Sequence, residues 1–141
     1  ASAEYGCAVA GAKLMLVIGH TRCGAVSAAV KFLGARLTAA EATGCQHLDS
    51  IVNEIQQSAA GMTAQAASEP SSTAALTIVD AVARENVLRV VKEIRQQSRT
   101  LDGLVQDRRI AIVDAMYDVV TGGIEFLVED GLEETGLQNT V

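Results

Sequence analysis

Tryptophan is absent from this chain, and aromatic residues of every kind make up only 3% of it. A core without large rings must be filled by Ala, Val, Leu and Ile, which suits helices packed closely on a sheet. No apolar run approaches the ~20 residues that cross a bilayer, so no membrane contact by the chain itself is expected. A secretory leader of basic and apolar segments is missing too, although a start at Ala1 rather than Met leads to the expectation that something precedes it. Cysteine is scarce and odd in number, at 3, which argues against a complete disulfide framework. A reducing, cytoplasmic location is the corresponding expectation. Basic residues number 11 against 17 acidic ones, for a net charge of -6. That balance argues against nucleic acid as a partner, because phosphate contacts need a basic stripe.

What the chain does have is a strong apolar patterning, 49% of its 141 residues. This length suits one domain over 1–141 with a single respectable core. Ser2 is a candidate N-cap for a short helix with Tyr5, Ala8, Val9 and Ala12 at helical spacing, ended by Gly11. Leu14 to Gly19 is a continuous apolar run, the pattern of a strand buried on both faces in a parallel sheet. A helix is expected after Gly24, with Val26, Ala29, Val30 and Leu33 on one side and Gly34 just past its end. Thr38 and Glu41 fit a capping box, and Leu48, Ile51, Val52 and Ile55 mark another amphipathic helix. Residues 57–73, rich in Ala, Ser and Gln and holding Pro70, read as a mobile connection. From Thr73 to Ser98, residues such as Leu76, Val79, Ala83 and Val87 trace a long helix. Ile110 to Tyr117 reads as a second buried strand, and Ile124 to Val128 as a third after the Gly122-Gly123 turn. The acidic tail from Glu129 is expected to fray. Strands alternating with helices predict an α/β fold with a mainly parallel sheet flanked by helices.

Chemistry concentrates at His20-Thr21-Arg22-Cys23, the turn at the carboxyl end of the first strand, where open α/β sheets place their ligands. A turn can bring a His and a Cys three apart onto one ion. The dipole of the following helix favours thiolate at Cys23, the form that binds zinc. The same spacing also suits a turn histidine beside a structural cysteine. Cys45-Gln46-His47 offers a further Cys and His for a four-ligand site, against the simpler reading that Gly44-Cys45 opens the helix of Leu48. Cys7 reads as a small core residue. Asp102, Asp107 and Glu85 read as caps or solvated residues. Arg22 and Thr21 either touch the site or face solvent.

The stretch Leu16-Val17-Ile18-Gly19-His20-Thr21-Arg22-Cys23-Gly24-Ala25-Val26 resembles the second zinc motif of β-class carbonic anhydrases. Ser2-Ala3-Glu4-Tyr5 is similar to the helix start that precedes that motif, and Glu85-Asn86-Val87 to the family's late helix. Ile110 to Leu127, with Tyr117-Asp118 and Thr121-Gly122, resembles its closing strands. The resemblance implies zinc, with His20 and Cys23 as two of its three constant protein ligands. It implies reversible hydration of carbon dioxide to bicarbonate and a proton. Dimers or higher homo-oligomers follow from it as well.

The family's first motif, Cys-x-Asp-x-Arg, occurs nowhere in the sequence. One cysteine ligand, the Asp–Arg pair and two of the family's strands are missing with it, so part of the sheet is expected to be absent. The first strand should then expose an apolar edge until another segment or a second polypeptide pairs with it. The expectation is therefore that this chain alone has impaired activity or none. Asp114 stands where the family usually has Gly, and a buried carboxylate there would need a partner. Two alternatives share the resemblance. Ala42 to Leu48 through Gln56-Gln57-Ser58 is similar to carbonic-anhydrase-like domains fused to sulfate-permease-type transporters, which implies a non-catalytic module. Relatives of the fold also hydrolyse carbon disulfide or carbonyl sulfide.

Overall fold

The computed structural model describes residues 1–59 and 72–127. Helix α1 spans Ser2–Ala8, strand β1 Leu14–His20, and helices α2, α3 and α4 Gly24–Ala35, Ala39–Thr43 and Asp49–Ala59. Helices α5 and α6 follow at Ser72–Gln97 and Arg99–Gln106, then strands β2 at Ala111–Tyr117 and β3 at Ile124–Phe126. The strand order is β1-β2-β3, with β1 and β2 parallel and β2 and β3 antiparallel. The expected α/β fold is present with a small mixed sheet, and β1 forms one edge of it.

Local signals account for most boundaries. The Thr38 side chain accepts from Glu41 N while Glu41 returns a carboxylate to Thr38 N, so the capping box opens α3 as expected. Gly44, at φ +76, closes the same helix rather than opening the next. Ala1, not Ser2, is the N-cap of α1. Helix α2 runs past Gly34 and ends on Arg36 in the left-handed conformation, whose amide reaches back to Phe32 and Leu33 carbonyls. Helix α6 had no sequence expectation of its own. Ser98 caps it by accepting from Leu101 N. The expected connection over 57–73 shortens at both ends, because α4 reaches Ala59 and α5 starts at Ser72. Its interior and the tail from Glu129 lie outside the described residues.

The helices cover one side of the sheet. Val26, Ala29 and Phe32 of α2 meet Val52 and Ile55 of α4 and Val79, Val82, Ala83 and Val87 of α5, with Val17 and Met116 beneath. A second cluster joins Cys7 of α1 to Leu101 and Leu104 of α6, with Met15 packed against it. Cys7 is thus the core residue expected of it. Arg89 ties α4 to α5: its Nε donates to the buried Ser58 hydroxyl at 2.8 Å and its Nη2 to the Glu54 carbonyl at 2.8 Å.

The expectation of a strand buried on both faces is not met. Burial along β1 alternates, and pairing partners share a face. Leu14, Leu16 and Ile18 therefore lie with Tyr117 of β2 and with Ile124 and Phe126 of β3 on the face without helices, exposed from 38% at Tyr117 to 60% at Phe126. The apolar run is continuous, as for a strand with two faces to bury, yet the helices among the described residues supply only one layer. Asp114 is half-buried opposite Val17, so the buried carboxylate considered from sequence does not arise. Asp102, read from sequence as a cap or solvated residue, accepts from Arg95 Nε at 2.8 Å and Gln106 Nε2 at 2.5 Å.

Candidate metal centre

His20 is the last residue of β1 and Cys23 the N-cap of α2, so the strand end and the helix start hold the two candidate ligands on one tight turn. The pairing of His20 with Tyr117 puts its imidazole on the uncovered side of the sheet, where it is exposed. His20 Nδ1 lies 3.0 Å from the Thr21 carbonyl oxygen. A carbonyl only accepts, so this contact suits the tautomer with the proton on Nδ1, in which Nε2 is the nitrogen a metal would take. Cys23 is half-buried against the main core.

Neighbouring elements shape the turn. A Cβ on Gly19 would lie 2.7 Å from both Met116 Sδ and Val87 Cγ2, so glycine alone lets α5 and β2 close on the strand here. Thr21 N donates to the Tyr117 carbonyl at 2.9 Å, and Thr21 Oγ1 accepts from Val119 N at 3.1 Å. Arg22 has φ +55, and its amide donates to Asp80 Oδ1 at 2.7 Å. Thr21 thus braces the turn, while the Arg22 side chain faces solvent.

Beside the turn opens a cavity of about 430 Å³ lined by Thr21, Asp80, Arg84, Met116, Asp118 and Glu125 among others. Two of its carboxyls, Asp118 and Glu125, lie below their usual range. Hydrogen bonds from Val120 N and Thr121 N, with a smaller pull from the Arg22 charge, keep the Asp118 carboxyl below its usual range. A hydrogen bond from Arg84 at 2.5 Å, reinforced by its charge, does the same for Glu125.

Among the described residues, no group of three or more His, Cys, Asp or Glu side chains is placed to hold a metal ion. Cys45 and His47 therefore do not complete a site with His20 and Cys23; Cys45 is exposed in the α3–α4 connection and donates its amide to Thr43 Oγ1. His20 and Cys23 suit zinc in the chemistry of their donors and fall short of it in number.

The model of the carbonic anhydrase family matches residues 1–124 of the sequence. The chain belongs to the β-carbonic anhydrase family. No curated protein sequence matches it closely. Among solved structures, the β-carbonic anhydrase CafA of the fungal pathogen Aspergillus fumigatus is 25% identical with a TM-score of 0.69, over 88% of this chain and 52% of its own. A tetrameric β-carbonic anhydrase of the ascomycete Sordaria macrospora has the same TM-score of 0.69 at 18% identity, over 89% of this chain and 57% of its own. The C39A mutant of CafD from Aspergillus fumigatus reaches 0.62 at 17% identity, over 90% of this chain and 64% of its own. The last two matches speak for the fold alone. This chain therefore spans between about half and two thirds of the β-carbonic anhydrases it resembles. β-Carbonic anhydrases are zinc enzymes.

Two features of the centre escaped the sequence. Nothing near Asp80 marks it as a partner of a turn 58 residues away. Gly19 stands in the sequence as the end of the apolar run, and its closeness to Val87 and Met116 has no local signal.

Proposed function

We propose that this chain presents His20 and Cys23 as two of the three protein ligands of a zinc site for reversible hydration of carbon dioxide, and that the third arrives on polypeptide covering the open sheet face. The observation that carries this reading is the place of His20. It ends the edge strand on the uncovered side, with Nε2 as the nitrogen a metal would take, beside the helix start that bears Cys23. Polypeptide laid over Leu16, Ile18 and Phe126 would bury that apolar face and bring its own side chains to His20. His20, Cys23 and the third donor would hold the zinc, which would supply Lewis-acid activation of water near neutral pH. The protein's own task is to hold the two donors at a fixed separation in an apolar niche that admits a small apolar substrate.

The same geometry favours assembly. A bare parallel edge at β1 beside an exposed apolar face is a site for a second copy or for a further segment of the fold. The tetrameric relative supports the first of these.

The test is zinc per chain and carbon dioxide hydration by stopped flow, for the 141-residue chain alone and after adding polypeptide that carries a Cys-x-Asp-x-Arg motif. Less than one zinc and no activity alone, with both restored on addition and both abolished by His20→Ala or Cys23→Ser, is the expected result. Zinc that persists in both variants would remove the assignment. Full zinc without hydration favours a non-catalytic module, and turnover of carbonyl sulfide or carbon disulfide in its place identifies the hydrolase alternative.

A further inference from the structure

The turn that carries the candidate ligands adopts a shape its own residues disfavour. Arg22, with a Cβ and no side-chain reason to prefer it, sits at φ +55 in the left-handed region. Arg36 and Arg108 share this conformation, and at Arg22 a group from outside the turn holds it. The carboxylate of Asp80 does so, accepting the Arg22 amide at 2.7 Å, and it comes from α5. Helix α5 also supplies Val87, whose Cγ2 closes on Gly19. One rigid helix therefore grips the chain on both sides of His20, by packing before it and by a charge-assisted hydrogen bond after it. Thr21, between these grips, is tied to the end of β2 through the Tyr117 carbonyl and the Val119 amide.

We propose that Asp80 is a positioning residue for the zinc ligands: by fixing Arg22 in the left-handed conformation it sets the separation and direction of the His20 and Cys23 donors. The proposal rests on the reading of those two residues as ligands. Asp80 accepts from the Arg22 amide, so it acts through the backbone. If the Asp80 carboxylate is removed, Arg22 is released to negative φ and the peptide between the two donors rotates. A metal site tolerates errors of only about 0.2 Å in ligand distance, so the two donors then no longer address one ion. Loss of such an outer partner weakens metal binding by roughly 10–100-fold.

Asp80→Ala and Asp80→Asn test this in the metal-free chain and in the chain with zinc and the added Cys-x-Asp-x-Arg polypeptide. Chelator competition gives zinc affinity, amide hydrogen exchange followed by NMR reports on Arg22, and thermal unfolding reports on the fold. In Asp80→Ala we expect faster Arg22 exchange, zinc affinity lower by roughly 10–100-fold and little change in melting temperature. Asp80→Asn keeps a carbonyl acceptor, so most of the protection and affinity should return. Wild-type Arg22 exchange in Asp80→Ala would overturn the clamp. Fast exchange with undiminished zinc affinity would overturn the positioning role. Zinc binding insensitive to both His20→Ala and Cys23→Ser would overturn the functional reading and with it the zinc role. Arg22 exchange separates that last failure from failure of the clamp.

Discussion

Replacing Gly19 with alanine adds one methyl group to the tightest backbone approach beside the candidate metal centre. The new Cβ would lie 2.7 Å from Val87 Cγ2 and 2.7 Å from Met116 Sδ, where carbon atoms ordinarily rest about 3.5–4.0 Å apart. Both neighbours are buried, Val87 at 4% exposure and Met116 at 5%, so neither has an open direction in which to retreat. Met116 can change rotamer, but a valine within a helix is held to one χ1 well. Helix α5 and strand β1 must therefore part by several tenths of an ångström, which overpacked cores resist by about 1–3 kcal/mol. For a chain of this size that corresponds to a melting temperature lower by roughly 3–12 °C. Thermal unfolding followed by circular dichroism measures it. Gly24→Ala is the control, because a Cβ there meets nothing within 4 Å and Gly24 is the first residue of α2. It should be neutral to within about 0.5 kcal/mol. The cost of Gly19→Ala should also shrink in a Val87→Ala background, with a coupling of about 1 kcal/mol. A Gly19→Ala protein melting together with the Gly24→Ala control would refute the reasoning.

Arg89→Met removes the donors that satisfy Ser58 and the Glu54 carbonyl between α4 and α5, and urea unfolding should show a loss of about 2–3 kcal/mol. Because the Asp118 carboxyl is depressed on folding, its contribution is present above the ordinary carboxylate range and is lost as pH falls through the lower folded value. The stability gap between wild type and Asp118→Ala should accordingly narrow in acid; a gap of constant size across pH melts would contradict this. Ile18→Lys with Phe126→Lys places two charges on the uncovered sheet face, and size-exclusion chromatography should show association in the wild-type chain falling toward monomer in the variant. A wild-type chain that is monomeric at high concentration would rule out self-association through this face.

Much of the fold is legible in the sequence because its signals act over a few residues. The run from Leu14 to Gly19 announces a strand, Thr38 and Glu41 announce a helix start, and the spacing of Val79, Ala83 and Val87 announces α5. Gly-His-x-x-Cys-Gly after that strand marks the turn, with His20 at the strand end and Cys23 at the helix start that follows. Helix boundaries were less legible, as at Gly34, because a helix ends where its last carbonyls find partners and Arg36 supplied one first. What the tertiary structure alone decided is which layers exist. An apolar strand reads the same whether one or two of its faces are covered, since composition records the capacity for burial and not the neighbour that provides it. The grip of Asp80 on Arg22, 58 residues away, is of the same kind. Residues so distant in sequence are joined only when α5 packs on β1, and no local pattern encodes that contact.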